Sequence, residues 1–91
     1  MLYAVTALDK PNALEIRLAN RDAHLAYAAT LPIAMGGPML SDNGQSMVGS
    51  LLVIEAEDRA ALDAILAADP YAKAGLFASV TVRPFKKVLP R

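Results

Sequence analysis

Two stretches of this chain are apolar on both sides of an extended backbone, and that property limits its fold more than any motif does. From Leu2 to Leu8, Tyr3 and Val5 fall on one side of a strand and Leu2, Ala4 and Leu8 on the other. Leu51-Leu52-Val53-Ile54, within a strand predicted from about Met47 to Glu55, has no polar side either. Such strands belong in the middle of a sheet that is covered on both faces. The chain has 91 residues, room for a single core. Only two helices are predicted, and two helices cover one face of a sheet. With 55 % apolar and 20 % charged residues, the surplus surface calls for a second copy of the chain.

The remaining elements follow from local chemistry. Asp9-Lys10-Pro11 offers a capping carboxylate and an early proline, predicting a helix from about Asn12 to Ala29. Leu14, Leu18, Leu25 and Ala29 share a narrow arc of it and are expected to face the sheet. Arg17, Arg21, His24 and Ala28 form the adjoining stripe, at the boundary between core and water. Leu31 to Met35 reads as an edge strand because of Pro32, ended by Gly36-Gly37-Pro38. Ser41 to Gln45 has hairpin chemistry, so the strand from Met47 returns antiparallel. Asp58 caps a second helix through Ala67, with Leu62, Ile65 and Leu66 inward and Arg59 and Asp63 outward. Asp69-Pro70 stops it. One more helical turn from Pro70 to Gly75 is expected before a last strand, Phe77 to Phe85, with Arg83-Pro84 marking an edge or an end. The order βαββαβ gives a ferredoxin-like α+β sandwich, a four-stranded antiparallel sheet with two helices on one face. Its open face is the expected homodimer contact.

Composition excludes several functions. Nine Lys and Arg balance nine Asp and Glu, so no field draws the molecule to nucleic acid or to a membrane surface. Without cysteine there is no disulfide, thiolate metal site or thiol nucleophile. No apolar run approaches the roughly 20 residues of a membrane span, and the start lacks the basic region of a secretory signal. A cytoplasmic location is expected. One histidine with scattered carboxylates lacks the clustered ligands that zinc prefers, so no metal and no other cofactor is expected. No Gly-x-Ser-x-Gly elbow suggests a serine hydrolase.

His24 is the one side chain whose unperturbed pKa, about 6.5, suits proton exchange near neutrality. A base of this kind works best with a carboxylate on its other ring nitrogen, and Asp69 can supply one. Spacing alone also allows a structural histidine and a simple helix-ending turn. Tyr71 can donate to a ligand or act as a wall, and Phe77 and Phe85 are expected in the core. Arg17 and Arg21 suit an anionic substrate, or an ordinary solvated helix edge.

Arg21-Asp22-Ala23-His24-Leu25, Asp69-Pro70-Tyr71, Gly49-Ser50 and Gly36-Gly37-Pro38 together resemble the motifs of the YCII-related family over almost the full length. The resemblance implies a dimeric α+β barrel with His24 and Asp69 in one pocket. The Ser50 hydroxyl would be available to a substrate oxygen, though a small residue between crowded strands explains it equally. The chain departs from many relatives in its short connection Ala29-Thr30-Leu31-Pro32 beside the pocket mouth. Some relatives act on ring compounds as isomerases or dehydrochlorinases. The resemblance thus implies a small cofactor-free enzyme of lyase or isomerase type, or a dimeric protein that binds a small ligand without converting it.

Overall fold

The computed structural model describes Met1–Arg91. Its elements are β1 (Leu2–Asp9), α1 (Leu14–Ala28), β2 (Ile33–Leu40), β3 (Met47–Glu55), α2 (Arg59–Ala67), α3 (Pro70–Lys73) and β4 (Phe77–Phe85). The strands form one antiparallel sheet in the order β2-β3-β1-β4. The two strands that are apolar on both sides are central, and the two that carry proline are edges, because a missing N–H is harmless only there. This is the expected ferredoxin-like α+β fold.

One face of the sheet is covered. Tyr3 and Val5 of β1, Ile54 of β3, Val82 of β4 and Leu62 of α2 make the main core, with Ile65 and Leu66 packed against it. A second, smaller cluster of Ala13, Tyr71 and Leu76 lies under the start of α1. The Asp58 carboxylate accepts from the Ala61 N–H at 2.8 Å and starts α2 as its sequence predicts. The exposed Arg59–Asp63 pair lies on its outer side. At the hairpin, Gly44 takes φ +74°, while Asn43 Oδ1 accepts from Ser41 Oγ and from the Gln45 N–H.

Four expectations are corrected. β2 does not stop at Gly36-Gly37-Pro38 but runs through them, pairing from Ile33 opposite Ile54 to Leu40 opposite Met47. The hairpin register carries it, and proline on an outer edge interrupts nothing. Helix α1 is turned about one residue's rotation from the expected orientation. Leu14, Leu18 and Leu25 are exposed, whereas Arg17 is buried. Asp9 is not the cap of α1; the cap position is Ala13, with no side-chain bond, and Asp9 pairs with Arg17 instead. Burial of a charge is tolerable when its partner is buried beside it and hydrogen-bonded. Phe85, expected in the core, is exposed, and its register partner Leu2 places it on the open face.

Gly49 shows how close β3 and β1 lie at the site. A Cβ there would stand 2.4 Å from the Ala7 carbonyl oxygen and 2.8 Å from Met39 Cε. The backbone contact cannot be relieved by a rotamer change. Gly49→Ala is therefore expected to destabilise the fold by about 1–3 kcal/mol, measurable as a lower urea midpoint at unchanged m-value.

Candidate functional site

The rotation of α1 carries its polar stripe inward, against the covered face of the sheet. Arg17 is 2 % exposed, and its guanidinium is held by both oxygens of Asp9 at the end of β1. Nε donates to Oδ2 at 2.7 Å and Nη2 to Oδ1 at 2.9 Å, the two-pronged geometry that suits this pair. Nη2 also donates to Ser50 Oγ on β3 at 2.9 Å. The Asp9 carboxylate raises the Arg17 pKa further, against the opposing effect of burial, so this charge is permanent.

Two turns along the helix, His24 Nδ1 lies 2.9 Å from Asp69 Oδ1 and 3.1 Å from Oδ2. Asp69 stands in the tight link between α2 and α3, where its Oδ1 also accepts from the Tyr71 N–H at 2.9 Å. Pro70 fixes the backbone that follows it, a use of proline at a helix start. A carboxylate at this distance accepts a hydrogen bond from Nδ1–H, which keeps the proton on Nδ1 and leaves Nε2 as the basic nitrogen. Nε2 makes no bond within the chain, and no unpartnered polar side-chain atom is sealed from solvent, so it is open to a guest.

Tyr71 ties the two charged centres together. Its ring stacks on His24 with centroids 4.0 Å apart and planes 12° from parallel, and Arg17 Cζ lies 4.8 Å from the same centroid. Phe77 meets it edge-on at 6.1 Å, which places Phe77 at the border of the smaller core cluster. Burial pushes the Tyr71 hydroxyl above its ordinary value, with Arg17 and Arg21 pulling the other way. At neutral pH it is a phenol and a donor.

These side chains border an open cleft of about 360 Å³ between α1 and the β2–β3 hairpin. Arg17, Arg21, His24, Ser50 and Tyr71 line it; Asp69 lies behind His24 and does not. The far wall is Gly36-Gly37-Pro38, a bare strip of backbone. Arg21 stands exposed at the rim without an ion pair or hydrogen bond. All six residues singled out from the sequence thus gather around one hollow. Asp9 was missed as a site residue, because a capping role explained it locally and only the tertiary path brings it to Arg17. The cleft wall was also missed, having been read as the end of β2.

Fold and site together define a ferredoxin-like α+β protein, of the type that builds dimeric α+β barrels, with a histidine–aspartate pair at an open cleft. The model of the YCII-related domain matches residues 1–86. The chain belongs to the YCII-related family. It is 41 % identical over 97 aligned positions to protein YciI of Escherichia coli, covering 97 % of this chain and 99 % of that one. An uncharacterized protein of Haemophilus influenzae is 39 % identical with the same coverage. Among solved structures, 5-chloro-2-hydroxyhydroquinone dehydrochlorinase from Burkholderia phenoliruptrix, in complex with 2,5-dihydroxybenzoquinone, is 38 % identical. It superposes with a TM-score of 0.88 over 94 % of each chain. An antibiotic biosynthesis monooxygenase, 20 % identical with a TM-score of 0.57, covers 97 % of this chain and 99 % of that one and shares the fold alone. No helix is long and apolar enough to cross a membrane.

Proposed function

We propose that the cleft carries out a cofactor-free proton transfer on a small hydroxylated ring compound, a reaction of lyase or isomerase type. His24 acts as the base and Asp69 orients it. One observation carries this reading: Nδ1 is fixed by a carboxylate at 2.9 Å while Nε2 is left unpartnered and accessible. That is the arrangement a general base needs, since the carboxylate sets the tautomer and steadies the imidazolium that forms.

In the first step an O–H or C–H bond of the ring compound breaks. The proton goes to Nε2 and the electron pair moves into the ring system. An isomerase returns that proton at another carbon. A lyase lets the pair expel a leaving group; from a chlorinated ring the net loss is HCl. Ser50, Tyr71 and Arg21 contact the bound molecule, and Arg17 positions Ser50 and Tyr71 from behind. The dehydrochlorinase at 38 % identity, a protein that acts on a hydroxylated chlorinated ring, supports this substrate class.

A thermal-shift screen of hydroxylated and chlorinated rings, followed by product analysis on each hit, tests the reading. Conversion of a hit supports it. Binding of every hit without conversion would leave a ligand-binding protein in its place.

The functional unit in this reading is a homodimer formed through the uncovered sheet face. Leu8, Met35 and Phe85 are 52 %, 58 % and 44 % exposed, and the register places all three on that face with Leu51. A two-fold contact presents every such residue twice, so one charge added per chain becomes two at the interface. Met35→Glu, on an edge strand where a single folded chain tolerates it, is expected to shift sedimentation from dimer to monomer at micromolar concentration.

A further inference from the structure

Both carboxylates beside the cleft already have hydrogen-bond partners, whereas one cation, Arg21, and two hydroxyl protons, those of Ser50 and Tyr71, do not. Asp9 gives both oxygens to Arg17. Asp69 gives its oxygens to His24 and to the Tyr71 N–H. No Asp or Glu lines the cleft itself. Arg21 at the rim has no counter-ion, and Asp69 stands behind the His24 ring and not in the lining, so the surface that a guest would touch is positive. At the inner end Ser50, 6 % exposed, accepts from Arg17 Nη2, and its own proton has no acceptor in the chain. A hydroxyl that accepts from a guanidinium is polarised toward donation.

From this charge balance we infer that the cleft takes its ring compound as an anion. An ionised ring oxygen accepts from Ser50, and Arg21 supplies the compensating charge at the mouth. This rests on the cleft being the ligand site, as proposed above, and adds the charge state of the ligand and the two residues that select it. The physical basis is that a buried anion needs a compensating cation as well as a donor, whereas a neutral hydroxylated ring needs only hydrogen-bond partners. Because Arg17 is neutralised by Asp9, its contribution is to aim Ser50. Arg21 provides the charge.

The test uses two probes of similar size and calorimetric binding to the full-length protein. 2,5-Dihydroxybenzoquinone is a vinylogous carboxylic acid and is ionised at neutral pH, while hydroquinone is neutral. Wild-type protein should prefer the ionised probe by at least tenfold, and added salt should erode that preference because the rim is solvated. Arg21→Gln should lower affinity for the ionised probe about tenfold and leave hydroquinone unchanged. Ser50→Ala should lower it by a similar factor, with normal far-ultraviolet dichroism.

Repeating the titrations in His24→Gln separates this inference from the proton-transfer reading, since binding is measured without turnover. Charge preference that persists there while no substrate is ever converted upholds the inference and removes only the enzyme. Equal affinity for both probes, equal loss of both in Arg21→Gln, or no binding of the ionised probe to wild type overturns it.

Discussion

His24→Gln is expected to reduce turnover of an identified substrate by about 10²–10⁴-fold, the range that a positioned general base contributes. The fold should be unaffected, because glutamine keeps a polar end of similar reach and the side chain lies at the border of the cleft, not in the main core. His24→Ala should lose as much activity, and affinity for a bound ring should change far less than turnover in both variants. Circular dichroism and a melting curve check the fold, and initial rates check the chemistry. Undiminished turnover in either variant would remove His24 from the mechanism and leave the stacked Tyr71 without an evident purpose.

Asp9→Ala is expected to cause the largest stability loss of any single polar replacement. It strands the Arg17 guanidinium, whose side chain is 3 % exposed, with only the Ser50 hydroxyl as a hydrogen-bond partner and no counter-charge. Breaking a buried ion pair by removing one member costs about 3–5 kcal/mol. In a chain of this size each kcal/mol lowers Tm by about 4–8 °C, so a drop of more than about 12 °C follows. The double replacement Asp9→Leu with Arg17→Met should recover much of this, since an apolar pair of similar volume carries no unsatisfied charge. A melting temperature in Asp9→Ala within a few degrees of wild type would show that the pair is not buried as the geometry requires.

Much of the architecture is legible in the sequence because it depends on neighbours in the chain. The Asp58 cap, the Ser41–Gln45 hairpin and the double-sided character of β1 and β3 are local properties, and each stands where the residues place it. What was not legible depends on partners far away. The leucine arc of α1 is the more apolar side, yet Asp9 and Asp69, 8 and 45 positions from their partners on the helix, draw Arg17 and His24 inward. Hydrophobic periodicity has no way to register such pairs. The encounter of His24 with Asp69 was suggested by motifs shared with the YCII-related family and by two adjacent helices, not by spacing. Likewise the extent of β2 was set by its pairing with β3, which no residue of Gly36-Gly37-Pro38 reveals by itself.

The inward side of α1 is fastened by two acids from separate parts of the chain, so the half-exposed leucines on its outward side are not what fixes its rotation. Leu14 and Leu18, which do not line the cleft, are therefore free to drift by mutation without disturbing the imidazole, whereas Leu25 borders the same hollow as His24. A lineage built on this scaffold can change what it meets on that flank, acquire new assembly or new company, and hand the cleft down intact.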